Sequence, residues 1–184
     1  MASGRLIYLM GASGVGKDSV LGYARARMNG RYQMLIAHRY VTRAPDPAHE
    51  NYISLSEGEF ALRKGKGIFF FDWQAHDLHY AVGIEVSIWL SRGLSVVMNG
   101  SRAHFAKEAS RMPGILPVMI EARPEMLRQR LEARGREGPD AIAARLARAG
   151  SLSILHPALL RIDNSGPLEA AGERLVDVLS RAAP

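Results

Sequence analysis

Two kinds of hydrophobic pattern alternate along the 184 residues of this chain. Short, uninterrupted apolar runs have the length of buried strands, and longer stretches place apolar residues every three or four positions, as one face of a helix requires. The first run, Leu6–Met10, is followed by a glycine-rich turn and a helical pattern reaching about Met28, with Val20, Leu21 and Ala24 on one face. Tyr32–Ala37 is apolar enough for a second strand, after which His38–Arg43 leads into a proline-containing loop over 44–51. Ser56 and Glu59 stand at capping-box spacing, which predicts a short helix ending near Gly65 or Gly67, with the Glu59 carboxylate reaching back to the cap. Ile68–Trp73 and Leu78–Val82 read as two strands around a turn at His76-Asp77. Ile84–Arg92 is helical and stops at Gly93, and Leu94–Met98 is a buried strand. A helix from about Ala103 to Arg111 precedes a strand at Leu116–Ile120. Pro124 suits the first turn of a helix that runs to Arg134 and halts at Gly135. A helix over about Pro139–Ala149, a strand at Leu159–Ile162 and a terminal helix from Pro167 complete the series.

Strands alternating with helices predict an α/β fold, a parallel central sheet with helices on both faces. No repeat, low-complexity tract or linker interrupts the series, so one domain over residues 1–184 is expected. Ligands in such folds sit beyond the carboxyl ends of the strands. The turn after Met10, the segment Asn99–Arg102 and the segment after Ile120 therefore share one rim, with residues 42–83 inserted as a small lobe beside it.

The turn reads Gly11-Ala12-Ser13-Gly14-Val15-Gly16-Lys17, the spacing of a phosphate-cradling loop between a strand and a helix. Backbone N–H groups turned inward and the positive end of the helix make an anion site, and the Lys17 ammonium reaches toward the outer phosphates of a nucleoside triphosphate. Asp18 and Ser19 follow, where the usual motif has Ser or Thr directly after the lysine. A carboxylate at position 18 serves equally as a magnesium ligand or as a complement to the helix dipole.

Composition narrows the setting. With 47% apolar and 23% charged residues the chain is that of a globular protein, and the absence of cysteine excludes disulfides and thiolate metal sites. The apolar segment near the amino terminus is too short for a signal or a membrane span, so a cytoplasmic location without a membrane partner is expected. A net charge of +6 suits anionic partners. The arginines are scattered with no polybasic run, which favours small phosphates over nucleic acid.

Arg134 and Arg145 bracket a short connection between two helices, where guanidinium groups can close over a phosphoryl group in transfer. Arg145 and Arg148, three residues apart, fit an exposed helix face as well. Arg39 and Arg43 fall beyond the second strand and can grip an anionic acceptor bidentately, or simply form a basic strand end, with His38 as a structural residue. Trp73, Tyr80 and Phe69–Phe71 can wall an acceptor lobe or fill a core. Asp72 can read a donor edge on a substrate or lie on the surface, and Asn99, Ser101 and Arg102 can contact substrate or cap a helix. No Ser–His–Asp set, paired-carboxylate motif or His-rich metal spacing is present. Phosphoryl transfer onto an already ionised phosphate needs alignment and charge stabilisation rather than a base.

The loop with Asp18-Ser19, the segment His38–Arg43, the tetrapeptide Asn99-Gly100-Ser101-Arg102 and the pair of stretches Arg134–Glu137 and Arg145–Arg148 together resemble the ribose 1,5-bisphosphate phosphokinase family, within the guanylate kinase-like group. The resemblance runs from Leu6 to the terminal helix. It implies a P-loop nucleoside monophosphate kinase-like three-layer sandwich, with a small acceptor-binding lobe over about 42–83 and a helical lid over about 134–148. The implied reaction moves the γ-phosphoryl of ATP, with Mg2+, onto the 1-phosphate of ribose 1,5-bisphosphate, giving 5-phosphoribosyl 1-diphosphate and ADP in phosphonate catabolism. The partner implied is a small phosphorylated sugar, and a homodimer is left open.

By the same resemblance Gly11 to Lys17, with Asp18 and Ser19, hold ATP, and Lys17, Arg134 and Arg145 are catalytic. Arg43 grips the acceptor phosphate, and Asn164 lies near the adenine. Three departures from guanylate kinases stand out. Val96-Val97-Met98-Asn99 ends without their aspartates, Asp72 replaces the glutamate before Trp73, and Asp18 replaces Ser or Thr. The lost strand-end acid and the gained loop acid suggest that Asp18 takes over part of magnesium binding. A guanylate kinase, for which Asp72 speaks, is the nearest alternative. A non-catalytic interaction module is another, although such modules degrade the loop that is intact here.

Overall fold

The run Leu6–Met10 is apolar at every position because the strand it forms, β1 (Leu6–Gly11), is buried on both faces. The computed structural model describes residues 4–28, 34–44, 52–75, 77–135 and 138–183. After β1 come α1 (Lys17–Met28), β2 (Met34–Ile36), β3 (Arg39–Val41), β4 (Tyr52–Ser54) and α2 (Glu57–Gly65). Then follow β5 (Phe69–Ala75), β6 (Leu78–Gly83), α3 (Glu85–Ser91), β7 (Ser95–Asn99) and α4 (Arg102–Lys107). A 3-10 turn at Ala109–Arg111 leads to β8 (Leu116–Glu121), α5 (Pro124–Ala133), α6 (Pro139–Ser151), β9 (Leu160–Asp163) and α7 (Leu168–Ala182).

The main sheet is parallel, in the order β2-β7-β1-β8-β9. Its register sets Leu9 beside Asn99 and Gly11 beside Ile120, so β1, β7 and β8 deliver their carboxyl ends to one rim. One face packs on α1 and α7 through Val20, Leu21, Leu175 and Leu179, and the other packs Tyr8 and Met98 against Val86, Phe105 and Ile154. A second, four-stranded sheet in the order β4-β3-β6-β5 occupies the inserted lobe. Among the described residues no helix is long and apolar enough to cross a membrane.

Several elements depart from expectation. Residues 39–41 form a strand rather than the start of a loop, and β4 is a strand that the hydrophobic pattern does not reveal. Three-residue strands are too short to show a period. The helix expected over 103–111 breaks into α4 and the 3-10 turn. Ser56 caps α2 as expected, accepting the Glu59 N–H at 3.1 Å, but the Glu59 carboxylate pairs with Arg63 one turn on instead of reaching back. Tyr32, the loop over 45–51 and His76 lie outside the described residues.

A buried polar network locks the rim beneath β7. Tyr8 is wholly buried, its hydroxyl accepts the Ser101 N–H at 3.1 Å and lies 2.7 Å from His104 Nδ1. Gly100 covers the ring so closely that a Cβ there would lie 2.2 Å from Tyr8 Cζ. Gly100→Ala is therefore expected to destabilise the fold by about 1–3 kcal/mol through overpacking. Urea unfolding checks this, as a lower midpoint at unchanged slope; an unaltered midpoint contradicts it.

Candidate active site

The loop between β1 and α1 takes a path that only glycine follows without strain. Gly14 and Gly16 both have φ of 89°, and a Cβ on Gly11 would lie 2.4 Å from the Ile120 carbonyl oxygen of the neighbouring strand. Two side chains brace the loop from beneath. Asn164 is 2% exposed and donates its amide to the Val15 carbonyl at 2.8 Å. Arg130 donates to the same carbonyl at 3.1 Å and to the Asn164 carbonyl at 2.7 Å. The structure thus gives Asn164, expected beside the adenine, the task of supporting the phosphate loop. Arg130 escapes sequence reading, although it stands one turn before Arg134 on α5.

Lys17 folds back over the loop, its Nζ donating to the carbonyls of Gly11 at 3.0 Å and Ala12 at 3.2 Å. Burial lowers its ammonium pKa to about 8; Asp18 opposes that shift, while Arg39, Arg102 and Arg134 add to it. These five charged groups therefore converge electrostatically on one point, with cations in excess, as an anion site requires.

Asp18, in the first turn of α1, accepts the Asn99 side-chain amide at 2.6 Å on Oδ1, and Arg39 Nη2 lies 3.7 Å from the same oxygen. Ser19 is exposed one position on. Asn99 ends β7 with 1% of its surface exposed, and its Oδ1 has no partner. The Nε atoms of Arg39 and Arg43 are likewise buried without partners. Buried polar atoms in folded proteins are nearly always paired; besides these three, His104 Nε2 and Asn164 Oδ1 are exceptions among the described residues. Arg43 lies over the ring of Tyr52, 4.6 Å from its centroid, which brings in an aromatic residue that the sequence does not single out.

In the inserted lobe Trp73 and Tyr80 are cross-strand partners stacked at 5.7 Å, and Trp73 also stacks on His104 at 5.1 Å. Tyr80 thus joins the Trp73 aromatic stack. Asp72 does not. It pairs in register with Ala81, which packs with Phe60 of α2, and its carboxylate takes the Lys64 ammonium at 2.5 Å. The acid expected to read a substrate edge lies on the sheet face that α2 covers.

Ser101 and Arg102 also have structural partners where substrate contacts are expected. The Ser101 hydroxyl caps α4 through the His104 N–H. Arg102 donates to the carbonyls of Ala149 at 2.7 Å and Arg148 at 3.2 Å, tying the last turn of α6 to the rim. Helices α5 and α6 pack as a hairpin through Leu127, Leu131 and Ile142. From α6, Arg145 reaches across to the Ser13 hydroxyl at 2.5 Å. Arg134 is exposed at the end of α5, within electrostatic range of Lys17.

Residues 7–148 match the family model described as an AAA domain. The chain is 45% identical over 175 residues to the ribose 1,5-bisphosphate phosphokinase PhnN of Desulfomicrobium baculatum, covering 95% of this chain and 94% of that one. It is 43% identical over 184 residues to the protein of the same name from Thiobacillus denitrificans, covering 99% and 96%. A crystal structure of guanylate kinase from Anaplasma phagocytophilum is similar with a TM-score of 0.68 over 100% of this chain and 88% of that one; at 14% identity this shows the fold, a P-loop kinase sandwich. Such identity, carried through nearly the full length of both relatives and matched by an intact phosphate loop on that sandwich, means that the chain belongs to the ribose 1,5-bisphosphate phosphokinase family.

Proposed function

We propose that this protein transfers the γ-phosphoryl group of ATP to the 1-phosphate of ribose 1,5-bisphosphate, giving 5-phosphoribosyl 1-diphosphate and ADP in phosphonate catabolism. An oxygen of the ionised 1-phosphate forms the new bond to the γ-phosphorus, and the bond to the ADP oxygen breaks. No proton has to be removed, which agrees with a site of arginines and no general base. The loop amides and Lys17 hold the donor phosphates, Arg39 and Arg43 hold the acceptor, and Arg134 and Arg145 offset the charge of the group in transfer. Mg2+ suits the donor set: one carboxylate, Asp18, together with nucleotide phosphates and water. Bound there, it would neutralise charge on the β- and γ-phosphates.

The observation that favours this acceptor over GMP is the placement of Asp72. Its pairing with Lys64 on the α2 face engages the acid that the resemblance to guanylate kinases would set against a guanine edge, while Arg39 and Arg43 supply two guanidinium groups for an acceptor with two phosphates. Coupled ADP-release assays test it. Turnover with ribose 1,5-bisphosphate is expected to exceed that with GMP by at least about 100-fold in kcat/KM, the lower range of discrimination by pocket contacts. Asp72→Asn is expected to leave that ratio unchanged. A preference for GMP, or one that Asp72→Asn abolishes, would overturn the assignment.

A further inference from the structure

A magnesium ion bound with a nucleotide takes one or two protein carboxylates and draws its other ligands from phosphates and water. Among the described residues no group of three or more His, Cys, Asp or Glu could hold a metal ion by itself. Asp18 is the acid at the mouth of the phosphate loop, directly after Lys17.

We propose that Asn99 is a positioning residue for Asp18, and that the two together form the protein's half of the metal–nucleotide site. This rests on the kinase reading above but not on the identity of the acceptor. Asn99 sits on the central sheet, 1% exposed, and so offers a rigid donor. Its amide, 2.6 Å away, engages Oδ1 of Asp18, the oxygen that Arg39 also approaches. The Oδ1 of the same Asn99 side chain is buried without a partner, so among the described residues the side chain's one hydrogen bond is the one it gives to Asp18.

The chemistry also explains why residue 99 is an amide. A carboxylate there would stand within hydrogen-bond distance of the Asp18 carboxylate, and two acids so close do not both ionise. One acid and one amide keep a single full charge and a hydrogen bond that sets its direction. The pair is therefore reciprocal: exchanging the two residues preserves charge and hydrogen bond, whereas changing either alone does not.

Calorimetric titration of ATP in Mg2+ and in excess EDTA tests this without turnover. In the native chain Mg2+ is expected to tighten ATP binding at least about tenfold, the span of one charge-assisted interaction. Asp18→Asn and Asn99→Asp are each expected to lose most of that ratio, read for each variant as its own affinity in Mg2+ over its own affinity in EDTA. The double exchange, Asp18→Asn with Asn99→Asp, is expected to recover it. All three variants are close to isosteric, and circular dichroism verifies their folding. A single Asp18→Asn variant that keeps the native ratio, or a double exchange no better than it, overturns the proposal. Failure of ribose 1,5-bisphosphate turnover beside a normal Mg2+ ratio counts against the acceptor assignment alone.

Discussion

Lys17→Met is expected to lower kcat/KM for ATP by about 10²–10³-fold, the range for removing one preorganised group that meets developing charge. In the ligand-free protein the ammonium rests on the carbonyls of Gly11 and Ala12, so it is already held at the loop and needs little reordering to meet phosphate oxygens. With its pKa lowered to about 8 it still carries its charge near neutral pH. Methionine keeps the length and apolar stem but removes charge and donors together. Arginine should not rescue, because a planar fork does not fit a seat shaped by two neighbouring carbonyls. Steady-state kinetics with varied ATP and the ATP-induced rise in melting temperature provide the check. A methionine variant that keeps a third of native kcat/KM would remove Lys17 from the mechanism.

The second large effect is expected at Arg145. Arg145→Met should lower kcat by about 10³-fold, the lower end for an arginine that stabilises a phosphoryl group in transfer, with ATP affinity nearly unchanged. Arg145 stands on α6 and touches Ser13 of the phosphate loop, so its guanidinium already lies against the loop. That contact alone suggests a merely structural role, which Ser13→Ala distinguishes. If Arg145 acts on the reaction, Ser13→Ala changes kcat by less than about threefold, the scale of one exposed hydrogen bond. Equal losses in both variants would reduce Arg145 to a lid latch.

The site was legible where its logic is local. The phosphate loop, Lys17 and the start of α1 follow from one apolar run, three glycines and a helical period within a few consecutive residues. The roles of Asn164 and Arg130 were not legible, because each works by reaching Val15 across 149 and 115 residues. Ser101 and Arg102 follow β7 at its carboxyl end, and their partners are the helix they begin and α6, more than forty residues away. Asp72 and Trp73, adjacent in sequence, face opposite sides of β5, so Asp72 pairs with Lys64 beside α2 while Trp73 stacks on Tyr80.

By itself, the order of apolar runs and helical periods determined the parallel sheet, the loop at its centre and the arginine-rich, base-poor chemistry of its rim. Local stereochemistry and hydrophobic burial act over a few residues, so a linear pattern carries them. Only the tertiary structure decided which polar groups serve the substrate and which serve the fold. It turned Asp72 toward Lys64, tied Arg102 to α6, placed Asn164 under the loop and joined Asn99 to Asp18. A polar side chain's role depends on which partner satisfies it once water is excluded, and that partner is chosen by packing between distant segments.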